Sequence, residues 1–332
     1  MTLRQWLWLS LLACFWGSAF ILMELALPVF APLTIVASRM CVAAILLNFV
    51  VWQQRKRHLL TQETFEKDIS LLTWIKCGGL SLLSNLLPFG LIVWGQQYIS
   101  ASLASILVTA SPLFTVLLAV VWKKERMTLS RSLGVLLGFA GVIVLIGPTV
   151  LSGFSLTGAG ELAVLAAALS YALTGFVGQR FSHLPPLLVS RMTVTMGALM
   201  MVPIALIYTA VFSTSVLYSV AAFSASASSP SILSAATGMV WPWPTVKAIL
   251  ALVGLGVFST GLAYIIYYRL LSEAGVVNTS LVSFLVPLTA VVLSVLFLRE
   301  RVDGMDLLGM AFILCGLAVL DGRLAHKLKT FS

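Results

Sequence analysis

Two arginines, a glutamate and a set of hydroxyl, amide and aromatic side chains lie inside stretches that are otherwise apolar. Arg39 is seven residues past Pro32, the first residue of its run. That puts it roughly 10 Å into a helix at about 1.5 Å rise per residue. Glu24 closes the run that begins at Gln5. Ionisable groups at membrane depth are costly, so each is a candidate for function. Arg39 is a candidate to hold a substrate carboxylate. Glu24 is a candidate to bind an amine or a coupling proton, the two facing each other across an outer vestibule. The alternatives are a structural ion pair, or a Glu24 that is merely interfacial. Arg191 repeats the Ser-Arg-Met context of Arg39 at Ser190-Arg191-Met192, but toward the other side, where snorkelling to headgroups explains it better.

Thr260, Tyr264 and Tyr268 share a helical face at i, i+4 spacing, with Tyr267 beside them. Such a stripe offers an amphipathic substrate aromatic faces and hydroxyl tips, although Tyr267 and Tyr268 also fit an interfacial aromatic belt. Asn85, with Ser81 and Ser84, gives an earlier run a polar side, and Asn278 and Ser283 do the same for a later one. For Asn278, helix–helix hydrogen bonding is an equal alternative to substrate contact. Trp16 and Tyr171 occupy similar places 155 residues apart, as cavity-wall aromatics or as helix packing. Glu161 reads as a first-turn carboxylate favoured by the helix dipole. Glu125 and Glu300, flanked by cations, read as caps and local charge pairs. Arg269 and Glu273 belong to a connecting turn.

These residues need elements to carry them, and composition says which. Of 332 residues, 60% are hydrophobic and 9% charged, whereas soluble domains carry about 25% charge. Apolar runs approaching 20 residues recur, each long enough to cross roughly 30 Å of hydrocarbon as a helix. They are continuous rather than alternating, which selects helices over a barrel. The expected fold is therefore an all-α polytopic membrane protein. Ten spans are expected, over 5–25, 32–52, 71–94, 100–122, 128–146, 159–180, 187–211, 245–268, 275–298 and 305–320.

The chain also repeats itself. Pro112, Glu125-Arg126, Gly134 and Gly141 recur 175 residues later as Pro287, Glu300-Arg301, Gly309 and Gly316. This predicts one five-helix repeat over 1–147 and a second over 159–322, the latter interrupted by a Ser/Ala-rich, non-cytoplasmic segment over 212–244. That segment is either a flexible loop with interfacial tryptophans or a short lid. With the N-terminus inside, fourteen basic residues fall on the cytoplasmic side, among them Arg55, Lys56 and Arg57, against Lys247, Arg299 and Arg301 opposite. Both termini are then cytoplasmic. Five spans per half invert the second repeat relative to the first, as in many secondary transporters. Pro112 and Pro287, in mid-helix, are expected to bend their spans and act as hinges. Gly134, Gly138 and Gly141 provide a face for close helix approach.

Several classes are excluded. There is no HExxH, no Walker loop and no Ser/His/Asp set, so neither an enzyme nor a primary pump is expected, and no cofactor or metal. The net charge of +9 belongs to loops and lipid headgroups, not to nucleic acid. Cys14, Cys41, Cys77 and Cys315 form no pair or metal spacing and read as small core hydrophobes. The partners expected are a small-molecule substrate and the bilayer.

Trp16-Gly17-Ser18-Ala19-Phe20, Ala101-Ser102-Leu103-Ala104, Ser111-Pro112-Leu113 and Glu125-Arg126, with the glycines that follow and the second-half copies, resemble the EamA-type transporters of the drug/metabolite transporter superfamily. The resemblance covers nearly the whole chain except 212–244. It implies a ten-helix carrier in the bacterial inner (plasma) membrane, with a cavity between inverted halves. Such carriers typically export amino acids or other small metabolites; drugs, sugars and nucleosides are alternatives. A membrane-embedded enzyme or scramblase would need an acid–base cluster at depth or a lipid-facing polar groove, and the sequence offers neither.

Overall fold

In the computed structural model, the residues described are 2–57, 70–123, 127–151, 155–181, 183–226, 245–274, 276–279 and 281–321. Among them the chain is helical throughout, with no strand. A helix satisfies all its backbone hydrogen bonds within one segment, which suits continuous apolar runs in hydrocarbon. The helices are α1 (Leu3–Ala26), α2 (Pro32–Lys56), α3 (Leu71–Gly95), α4 (Ala101–Val108), α5 (Ser111–Lys123), α6 (Leu129–Leu151) and α7 (Leu156–Gly178). There follow α8 (Pro186–Ser226), α9 (Val246–Gly256, continued through Val257–Leu262 and Ala263–Ala274), α10 (Val276–Thr279), α11 (Val282–Leu298) and α12 (Gly304–Asp321). Eight helical stretches are long and apolar enough to cross a membrane, and Val282–Leu298 and Gly304–Leu320 are shorter apolar helices.

Three departures from the sequence reading concern the elements. The stretch 100–122 is not one bent helix: it breaks at Thr109-Ala110, and Pro112 sits in the first turn of α5. There its missing N–H costs nothing within α5, because first-turn donors have no intrahelical partner. Pro287 lies inside the unbroken α11, and the interruption in 275–298 falls earlier, ahead of Val282. Finally, α8 continues to Ser226, so 212–226 is helix rather than loop. The Ser-rich, otherwise apolar sequence there contains no proline before Pro230 to stop it. The rest of the stretch expected as a loop or short lid, 227–244, lies outside the described residues, as do Glu125 and Arg126.

Two wide turns were not foreseen. Leu82–Leu86 in α3 and Val257–Leu262 in α9 are π-helical. Their starts are related by the repeat offset of 175 (257 − 82). The Leu87 N–H donates to the Leu82 carbonyl and the Ala263 N–H to the Phe258 carbonyl, each five residues back. Inserting one residue this way shifts the helical register downstream, and Asn85 in one turn and Ser259 and Thr260 in the other are buried.

Packing between helices relies on small residues, since lipid removes the hydrophobic drive for association. α6 and α12 pack most closely. An added Cβ on Gly134 would lie 2.8 Å from the Gly316 carbonyl oxygen, and one on Gly141 would lie 2.6 Å from that of Gly309. The contact is reciprocal: Gly316 meets Gly134 at 2.6 Å and Gly309 meets Gly141 at 3.0 Å. Ascending numbers on one helix meet descending numbers on the other, so the pair is antiparallel. Gly95 and Gly160 make a similar contact between α3 and α7. Large apolar side chains such as Leu136, Ile143, Leu296 and Phe297 face outward, as a lipid-facing rim requires. Cys14 and Cys315 are exposed among them, and only Cys77 is fully buried, so two of the four cysteines are not core residues.

Candidate functional site

The helices enclose a cavity of about 290 Å³. Its wall draws on α1 (Trp16, Phe20, Met23), α2 (Arg39), α3 (Phe89, Ile92), the α4–α5 break (Ser105, Val108, Thr109, Ser111, Pro112), α7 (Tyr171), α9 (Ser259, Thr260, Tyr264) and α11 (Ser283, Val286). Three repeat-related pairs lie on this wall at the 175 offset: Phe89 and Tyr264, Val108 and Ser283, Ser111 and Val286. The lining is pseudo-symmetric in position and asymmetric in chemistry.

Arg39 is the charged group of the wall. It is 5% exposed, and its Nε donates to Thr260 Oγ1 at 2.7 Å. Its terminal nitrogen donates to the Ser259 carbonyl at 3.4 Å. The guanidinium carbon stands 3.8 Å from the centre of the Phe89 ring, a cation–π contact worth more where water is excluded. Both oxygen acceptors belong to the wide turn of α9. Thr260 Oγ1 also donates to the Leu255 carbonyl at 3.1 Å, so the turn is tied to the helix before it. Gly256 makes the approach possible: a Cβ there would press on Val42 and come within 3.1 Å of the Arg39 carbonyl oxygen. No ion pair with Arg39 occurs among the described residues.

The partner turn in α3 presents Asn85, 1% exposed. Its amide donates to Ser84 Oγ at 2.9 Å and Ser81 Oγ at 3.3 Å, and its Oδ1 accepts the Tyr264 hydroxyl at 3.2 Å. Asn85 thus braces Tyr264 without lining the cavity itself. Trp16 stacks against Tyr267 with centroids 5.6 Å apart, which draws Tyr267 into packing with α1 rather than leaving it in an exposed belt.

Of the residues singled out from sequence, Trp16, Arg39, Tyr171, Thr260, Tyr264, Ser283 and Pro112 come together on one wall, while Glu24, Asn85, Asn278 and Pro287 do not. Glu24 does not face Arg39. Its carboxyl meets the Gln96 amide and lies in electrostatic range of Glu300, because the rotation of about 100° per helical residue turns it off the face that Met23, its neighbour in sequence, presents to the cavity. Asn278 donates to the Ala274 carbonyl one turn back at 2.9 Å. Arg191 is held by protein rather than headgroups: its Nε donates to Asn48 Oδ1 at 2.8 Å, and its guanidinium lies 5.4 Å from the Trp74 ring centre. Glu161 is in the second turn of α7, not the first, and is 2% exposed. Arg269 and Glu273 pair at 2.9 Å within the last turns of α9. Glu300 does cap a helix, but not the next one. Its carboxylate accepts the backbone N–H groups of Ala101 (3.1 Å) and Ser102 (3.2 Å) at the start of α4, where the dipole favours an anion.

Phe89, Ser259, Ser105, Thr109 and Ser111 were not named as site residues from sequence. Phe89 was visible as the repeat counterpart of Tyr264. Ser105 and Thr109 were visible as hydroxyls just ahead of the Ser-Pro signature, and Ser111 as its serine. The Ser259 carbonyl had no signal, since only the wide turn frees it.

The chain matches the model of the EamA-like transporter family over residues 4–147 and 158–320. It is 24% identical over 303 residues to the uncharacterized transporter YoaV of Bacillus subtilis (strain 168), covering 91% of each chain. It is 24% identical over 326 residues to a probable terminal-alkyne amino-acid exporter of Streptantibioticus cattleyicolor, covering 97% of this chain and 95% of that one. A crystal structure superposes with a TM-score of 0.61 at 18% identity, over 96% of this chain and 99% of that one, which concerns the fold alone. A multi-pass set of apolar helices around a largely apolar cavity that holds Arg39 and several hydroxyls, and a family match over both halves, have the same reading: the chain belongs to the EamA-like transporter family.

Proposed function

We propose that the chain is a secondary transporter of small carboxylate-bearing metabolites, amino acids foremost, working as an exporter by alternating access. The observation that carries the reading is Arg39, a buried guanidinium on the cavity wall with no carboxylate partner among the described residues. Removing one partner of a buried charge pair costs several kcal/mol, so a cation kept without one implies that its counter-charge arrives with the ligand. Trp16, Tyr171 and Tyr264 around it suit an apolar or aromatic side chain. The relative named as a probable amino-acid exporter agrees with this substrate class.

In this reading the ten apolar segments are ten spans, in two inverted five-helix halves over 1–147 and 159–322. The antiparallel glycine contact of α6 with α12, the repeat-related wide turns and the two matched stretches of the family model support the inversion. Both termini lie in the cytoplasm of a bacterial cell whose inner membrane the protein spans, as the distribution of basic residues favours. The halves rock about the α4–α5 break and the region of Pro287, exposing the cavity to each side in turn.

Counterflow in proteoliposomes tests the substrate class. Vesicles loaded with a pooled set of unlabelled amino acids are expected to accumulate labelled ones transiently, and Arg39→Ala to abolish this. Exchange of sugars or nucleosides but of no carboxylate would replace the assignment.

A further inference from the structure

The cavity wall holds a cation and no carboxylate. If Arg39 takes the carboxylate of an amino acid, the ammonium group must find neutral acceptors. The α4–α5 break supplies them. The Ser105 carbonyl accepts Thr109 Oγ1, Ile106 accepts the Thr109 N–H, and Leu107 accepts the Ala110 N–H. The next two carbonyls are left over. Val108 would be served by residue 112, which is proline and has no N–H. Thr109 would be served by Leu113, whose N–H goes to Ala110 at 3.0 Å. Neither carbonyl has a donor among the described residues, and both residues line the cavity. They also form the C-terminal end of α4, where the helix dipole is negative. Their repeat counterpart on the wall, Ser283, likewise loses its i+4 donor to Pro287.

Resting on the reading above, we infer that the carbonyl end of α4, at Val108 and Thr109, is an ammonium-binding subsite, and that with Arg39 it selects zwitterionic amino acids over carboxylates that lack the amine. Pro112 is then more than a breaker of the span. It keeps an acceptor unpaired where an N–H would otherwise cover it, and half-helix ends of this kind serve cations in other carriers.

The test measures competition against labelled phenylalanine and leucine in reconstituted wild-type protein. The competitors are 3-phenylpropanoate and 4-methylpentanoate, which lack the amine, and 2-phenylethylamine, which lacks the carboxylate. A hydrogen-bonded charged group predicts that each desamino acid competes about tenfold or more weakly than its parent. Pro112→Ala, which restores an N–H toward Val108, is expected to narrow that gap, while Glu24→Gln leaves it unchanged. Equal competition by desamino acids would overturn the subsite and leave the carboxylate reading standing. Loss of the gap in Glu24→Gln would overturn it too, by assigning the ammonium to Glu24. If no carboxylate exchanges at all, direct calorimetric titration with 2-phenylethylamine decides: binding weakened by Pro112→Ala supports the subsite although the carboxylate reading has failed, and no binding overturns both. Replacing sodium by N-methylglucamine separates the remaining source of positive charge. Amine binding that persists supports the subsite. Sodium binding that 2-phenylethylamine does not displace would give the carbonyls to a metal cation and overturn it.

Discussion

At the scale of single residues, the site is a question of what satisfies one buried guanidinium. Thr260 does two things for it, accepting from Nε and holding the wide turn closed against Leu255. Thr260→Val keeps the shape and removes both bonds, leaving a buried charged donor unpaired. The expected cost is about 1–3 kcal/mol, read as a lower unfolding temperature in detergent together with weaker substrate competition. Arg39→Lys is expected to transport poorly despite the retained charge, because an ammonium cannot reproduce the planar fork that bonds Thr260 and Ser259 while lying over Phe89. Tyr264→Phe releases Asn85 Oδ1, and its expected effect is a higher KM with an unchanged maximal rate. A lower maximal rate at unchanged KM would mean that the hydroxyl acts in the conformational step instead. Depth along a helix sufficed to pick out Arg39 from the sequence, and residue type sufficed for the aromatics. Depth did not suffice for Glu24: it lies at the depth of its neighbour Met23, which lines the cavity, but about 100° of helix rotation points it elsewhere.

At the scale of elements, the wide turns and the glycine faces do the positioning. Gly256 lets α2 lie against the wide turn of α9, so Gly256→Ala should push Val42 away and lift Arg39 from Thr260. Its transport defect is expected to resemble that of Thr260→Val, with no further loss when the two are combined. Gly316→Ala acts elsewhere. Its added carbon would meet backbone atoms of Gly134 and Gly138 at 2.6–2.7 Å, an overpacking expected to cost about 1–3 kcal/mol. The surviving protein should keep a normal KM, since α6 and α12 contribute nothing to the cavity wall. Helix identity and the glycine faces were legible, because apolar length and small-residue spacing are written in the sequence. The π-helical turns, the break at Thr109-Ala110 and the extension of α8 to Ser226 were not. Each depends on where hydrogen bonds shift between alternative partners, a choice that tertiary packing makes. The break had a partial signal in Pro112, read as a bend at the proline when the chain in fact parts ahead of it.

At the scale of the whole molecule, a duplicated sequence has built one cavity whose two sides no longer match. The 175-residue offset, plain in the sequence, places Phe89 opposite Tyr264 and Val108 opposite Ser283 on the same wall. What the offset could not reveal is which copy kept the chemistry: Arg39 faces the cavity, while Arg191 is spent on Asn48 and Trp74. The alternating access proposed above needs this site to meet both sides of the membrane in turn. The most direct test places one cysteine at Val108 in a variant whose four native cysteines are replaced by alanine or serine and whose counterflow is retained. An impermeant maleimide is then applied to right-side-out and to inside-out vesicles, with and without a saturating transported amino acid. Labelling from both sides, with protection by substrate on both, is the expected result. Labelling confined to one side, whatever the substrate concentration, would contradict it.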